Sequence, residues 1–162
     1  MEASQSLPEL VAAAQANADV HEQQIAEIVA VKGDAPDDQA EALRAATSAI
    51  ELLAVDIYAV FEARMQHHFK RGPFSRKLKA LLTGAGQPDL AYRIYQYYLA
   101  VNVLKHGTGV SHRELMKGDT HLFGVRTVEE AEVGDSLIDV TAPGFFDGLT
   151  TAILEVHQFL ER

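Results

Sequence analysis

Leu7, Val11, Ala14, Ala18, Ile25 and Ile28, with His21 on the same line, recur at alternating fours and threes. That spacing keeps one face of a 3.6-residue helix apolar, so it predicts an amphipathic helix over residues 7–28 with a heptad-like seam. Ser6 stands where an N-cap is needed, and Pro8 falls in the first turn, where a missing N–H costs nothing. The stretch Lys32, Gly33, Asp34, Ala35, Pro36 stops the helix.

A longer helix follows, capped by Asp37 or Asp38. Its seam runs through Leu43, Ala46, Ile50, Leu53, Ile57 and Val60 and turns polar at Arg64, beside Met65, and at His67 and His68. Neither Gly nor Pro interrupts it before Arg71-Gly72-Pro73. Each Leu or Ile buried along this stripe stabilises by roughly 1.5–3 kcal/mol, so the helix needs a partner along its length. The first helix, joined by a short turn, is the natural antiparallel one.

Residues 73–82 predict a short helix with Phe74, Leu78, Leu81 and Leu82 on one side and Arg76, Lys77 and Lys79 on the other. After the Gly84-Ala85-Gly86 break a further helix is expected over 89–106, with Leu90, Ile94, Tyr97, Val101 and Leu104 inward. Four of the five tyrosines (Tyr92, Tyr95, Tyr97 and Tyr98) lie on it and spread over several faces. It is therefore expected to be contacted on more than one side, as a packed core helix or as the interface of a homodimer. Residues 111–116 predict one or two helical turns. Residues 120–141 lose helical period and read as an irregular excursion or a β-hairpin with arms at 123–128 and 136–140. Phe145, Phe146, Leu149, Ile153, Val156 and Leu160 restore the helical period over 144–160, with Pro143 at its start. The expected fold is all-α: one domain, 1–162, an antiparallel bundle of four main helices and a short one, with the excursion before the last helix.

Composition narrows the function classes. The 162-residue chain has no Cys, which excludes disulfides, thiolate metal sites and cysteine nucleophiles. No apolar run approaches twenty residues, and the first residues carry no basic segment ahead of an apolar core. Neither a membrane span nor a secretory signal is expected, and a cytoplasmic location is the default. The net charge of −9 is unevenly distributed. Residues 64–117 hold ten Lys and Arg against two acids, a net +8, so the rest, with four bases and 21 acids, carries −17. Such segregation produces a local positive field on an acidic protein, unless acids of the first helices pair with these cations.

The polar chemistry gathers at residues 99–107, Leu-Ala-Val-Asn-Val-Leu-Lys-His-Gly. Asn102 and His106 are four apart and share a helix face; Lys105 is beside them, Gly107 is a helix stop, and His112 follows within a short loop. An amide, an imidazole and an ammonium at a helix end are able to hold an anion or move a proton. They are equally the ordinary stabilisers of a helix C-terminus. Seven His raise the question of metal. Neither Glu-x-x-His nor His-Glu-x-x-His occurs, and a set drawn from His67 or His68, His106 and His112 has no signature spacing. No metal and no cofactor are expected. A Gly-x-Ser-x-Gly elbow is absent as well.

This arrangement resembles the HEPN superfamily: compact all-α bundles, often dimeric, many of them metal-independent RNases of toxin–antitoxin and anti-phage systems. Their mark is an Arg followed, after four to six residues, by a His, commonly with a polar residue directly after the Arg and a Gly after the His. Here Asn102, His106 and Gly107 occupy three of those places, and Val101 stands where the Arg belongs. The resemblance implies a dimeric, non-catalytic module binding RNA or nucleotide, through Lys70, Arg71, Arg76, Lys77, Lys79, Lys105, His112 and Arg113. It leaves open an endoribonuclease using Asn102 and His106 as catalytic residues. A protein-interaction or structural domain is the third alternative.

Overall fold

Ser6 caps the first helix, α1 (Leu7–Ala30): its Oγ accepts the Glu9 N–H at 3.3 Å, and Pro8 occupies the first turn. A computed structural model of the chain describes residues 5–31, 36–118, 122–132, 135–142 and 144–162. The predicted stop at 32–35, together with Thr120, Gly134 and Pro143, lies outside them. Among the described residues α2 (Pro36–Met65) follows, extended by a single 3-10 turn, Gln66–His68. Then come α3 (Phe74–Gly84), α4 (Pro88–His106), α5 (Val110–Met116) and, after the excursion, α6 (Phe145–Leu160). The excursion contains two strands of two residues, β1 (Gly124–Val125) and β2 (Ile138–Asp139). They pair antiparallel with Gly124 opposite Asp139 and Val125 opposite Ile138, inside the two arms expected from sequence. The fold is all-α with a short hairpin before its last helix. None of the described helices is long and apolar enough to cross a membrane.

α1 and α2 pack along their lengths as the two seams require. Burial is complete at Leu7, Val11, Ala14 and Ala18 but only partial at His21, Ile25 and Ile28, so the seam opens toward the turn. There Gln39 ties the start of α2 to the end of α1 by donating to the carbonyls of Val31 at 2.5 Å and Ile28 at 3.4 Å. The buried face of α2 is turned slightly from the expected one. Ala54, Tyr58 and Phe61 are buried beside Ala46, Ile50 and Ile57, whereas Leu43, Leu53 and Val60 are half-buried. The reason is a second set of neighbours: α4 and α6 also lie on α2, and the inner face widens to meet them.

α4 is the centre of the molecule. It packs on α2, α3, α5, α6 and β2, and buries Leu99, Ala100 and Val103 in addition to the expected Leu90, Ile94, Tyr97 and Val101; Leu104 is half-buried. Elements of the same chain thus bury Tyr97 and cover Tyr95 and Tyr98 in part, whereas Tyr92 is exposed. Where α4 crosses α6 the Tyr97 side chain lies directly against Gly148. A Cβ built there falls on the Tyr97 hydroxyl and stands 3.1 Å from the ring carbon that carries it. Burial pushes the Tyr97 phenol up to about 12, the Arg93 charge pulling against it. Arg93 binds Asp89 on its own helix at 2.8 Å and Glu155 of α6 at 2.5 Å, closing the same contact from its rim. Gly148→Ala should therefore cost about 1–3 kcal/mol by overpacking. Thermal melts are expected to show a lowered Tm, partly restored by adding Tyr97→Phe, which removes the hydroxyl but keeps the ring. An unchanged Tm for Gly148→Ala contradicts this packing.

Candidate functional site

Gly107 ends α4 as expected. It takes φ +73°, a region that favours glycine, and its N–H donates to the Val103 carbonyl at 2.7 Å. Just before it, Asn102 and His106 part company although they share a helix face. Asn102 is half-buried and its Nδ2 donates to Ser111 Oγ of α5 at 3.2 Å. His106 is exposed and makes no hydrogen bond or ion pair with another described residue. His112 is buried at 7% exposure, and its Nε2 donates to the Arg126 carbonyl at 2.7 Å. That nitrogen ties α5 to the excursion and is taken up inside the chain.

Along α4 the residues Tyr95, Tyr98, Asn102 and Lys105, spaced three, four and three, form one partly open strip. The Tyr95 and Tyr98 rings lie 5.6 Å apart, and Lys79 of α3 places Nζ 4.1 Å from the centroid of the Tyr95 ring. The Tyr95 hydroxyl donates to Glu114 of α5 at 3.0 Å. Burial and then Glu114 raise the Tyr95 phenol above its ordinary range, while the neighbouring Arg76 charge opposes them. Beyond Tyr98 the strip forms one wall of a groove of about 270 Å³ against α2, where Tyr58, Val101, Asn102, Lys105, Glu62 and Gln66 are among the lining residues. Tyr58 fixes that groove from below: it is buried, bonds to Ser75 of α3 at 2.8 Å, and its phenol is pushed well up by burial. Val101 is 4% exposed.

Of the cations in 64–117, only Arg93 reaches a carboxylate within ion-pair distance among the described residues. Arg64 donates instead to the Gln5 carbonyl at 2.9 Å. Arg76, Lys79 and Lys105 meet at or beside the strip. Lys70, Arg71 and Arg113 are exposed and Lys77 is half-buried, and among the described residues no side-chain hydrogen bond or ion pair joins them to it. The acids of the first helices do not pair with these cations among the described residues.

A second cleft, of about 340 Å³, went unseen in the sequence. Glu51, Arg44 and Thr47 of α2 face Arg126, Ser136 and Asp139 of the excursion across it. Arg126 donates to the Ser136 carbonyl at 2.7 Å and stands 3.8 Å from Asp139, so its charge is engaged locally. Burial raises the Glu51 carboxyl above its ordinary range, more than Ser136 and Arg126 lower it, and Asp135 adds to the rise. The sequence signal for this cleft is slight, because its two walls lie some 80 residues apart. Comparison with family models, with curated proteins and with solved structures returned no match for this chain.

The Glu51 shift has a direct consequence. Folding favours its protonated form, so that contribution to stability is full below the ordinary carboxyl pKa, about 4.3, and is lost as pH rises through the folded value. Glu51→Gln, which removes the charge and keeps an acceptor for Ser136, should raise Tm at pH 7. The gain should fade as the pH falls below the carboxylate range. A lower Tm for the variant at pH 7 would mean that the Arg126 charge outweighs burial.

Proposed function

We propose that this chain is a binding module for single-stranded RNA or a nucleotide, a HEPN-like bundle without the full catalytic pair. The observation that carries the reading is the strip on α4: a cation over Tyr95, a second aromatic ring beside it, then the Asn102 amide and the Lys105 ammonium. Aromatic faces stack unpaired bases, cations compensate phosphates, and an amide bonds a base edge or a phosphate oxygen. The cations of α3 and α4 at this strip are not engaged by protein carboxylates among the described residues, so they are available to a polyanion. At the position where the HEPN motif has its Arg, Val101 is apolar and buried, and offers nothing to a scissile phosphate. Binding is therefore the activity supported, with His106 at the exposed end of the strip as a further contact. The HEPN-like reading also carries pairing of two copies, for which light scattering should give twice the 17.7 kDa chain mass.

Fluorescence anisotropy with a labelled single-stranded oligoribonucleotide tests this. Affinity should fall steeply with rising salt through counterion release. Lys79→Glu and Lys105→Glu, both at exposed positions, should weaken binding about tenfold or more each while circular dichroism shows the bundle still folded, and Tyr95→Ala should remove one stacked base, about 1–3 kcal/mol. Salt-insensitive binding, or none at low salt, overturns the proposal and favours a protein partner. The intact chain should leave RNA uncut in EDTA. Cleavage that His106→Ala abolishes would establish the endoribonuclease alternative instead.

A further inference from the structure

Where α2 and α6 end, the 3-10 turn brings two adjacent imidazoles to one carboxylate. Glu161 Oε1 stands 3.2 Å from His68 Nε2 and 4.0 Å from His67 Nε2. The two rings stack at 4.1 Å between centroids with 36° between their planes, and both Nε2 atoms lie within 4.0 Å of the same carboxylate oxygen. One ligand atom from each of the three residues lies within 4.8 Å of the others. We propose that His67, His68 and Glu161 bind one divalent transition-metal ion of the zinc class.

Tetrahedral zinc with ligands at about 2.0–2.1 Å sets its donor atoms roughly 3.3 Å apart. The His68–Glu161 separation already has that value; His67–Glu161 needs to contract by about 0.7 Å and the remaining pair by at most about 1.5 Å. The donor set is imidazole with a single carboxylate, which suits zinc, cobalt, nickel and copper; magnesium and calcium require oxygen ligands. His67 keeps 65% of its side-chain surface, so an ion has an open approach and room for a water. The residues come from elements 93 positions apart, so a bound ion clips the end of α2 to the end of α6.

An ordinary His–Glu ion pair is the competing account, and pH separates the two. An ion pair needs protonated imidazole and weakens from pH 6 to pH 8, whereas metal needs neutral imidazole and binds more strongly over that range. The experiment is calorimetric titration of the untagged, full-length chain with zinc chloride, repeated with magnesium chloride, and with His68→Ala and Glu161→Gln. Circular dichroism checks that each variant is folded. One zinc per chain is expected, tighter at pH 8 than at pH 6, with no heat from magnesium. Each variant should lose about tenfold or more in affinity, and the rise in Tm that zinc gives the parent chain should vanish. Cobalt should give the visible absorption of a tetrahedral ion. Absence of zinc binding, binding only at millimolar zinc, or equal affinity in the folded variants overturns the proposal.

Discussion

The close crossing of α4 and α6, with the Tyr97 hydroxyl filling the space above Gly148, governs how the other elements can be arranged. A side chain at 148 would hold the helices apart. Without one, Ile94, Leu99, Leu149 and Ile153 are all buried to 2% exposure or less. Burial of each such side chain is worth roughly 1.5–3 kcal/mol, and the contact also orients α4 for everything packed on its remaining sides. α3 folds back along it through the tight connection at 85–87, and α5 returns after Gly107. The Tyr58–Ser75 hydrogen bond then fixes α3 to α2. The line from Tyr95 to Lys105 remains partly open along this helix, as does the stretch of Asp89, Tyr92 and Gln96 nearer its start, and its polar groups are presented from a packed support.

Charge follows the same division. The acids are concentrated on the first two helices and in the excursion, and the cations on α3, α4, α5 and the loop before α3. Among the described residues these two groups form no ion pair with each other, and most of the cations are not engaged by a carboxylate. Arg93 is the exception, and its role differs: it is held by Asp89 and Glu155 and serves the α4–α6 contact.

Local features were legible in the sequence because local physics makes them. The Ser6 cap, the Gly107 stop and the helical periods over 7–28 and 144–160 depend on neighbours within one or two turns. The hairpin arms were located as well, although only two residues of each arm pair. Features made by return of the chain were not legible. The breadth of α4 showed as scattered tyrosines, but that α3, α5 and β2 cover it depends on how loops fold back. Ala54, Ala91 and Ala100 are buried as well, and alanine carries little signal in a hydrophobic pattern. His112 looked like a free imidazole because its partner is a backbone carbonyl at residue 126. His67 and His68 read as a polar helix end, because Glu161 lies far along the chain.

The central claim is that the partly open strip of α4 is where this bundle meets its ligand. Two-dimensional NMR of the isotope-labelled chain, titrated with a short single-stranded RNA, tests it residue by residue. The account predicts that shifts concentrate at Lys79, Tyr95, Tyr98, Asn102 and Lys105, with smaller changes at Arg76 and His106. Shifts gathered instead on α1, or around Glu51 and Arg126 in the second cleft, would contradict it.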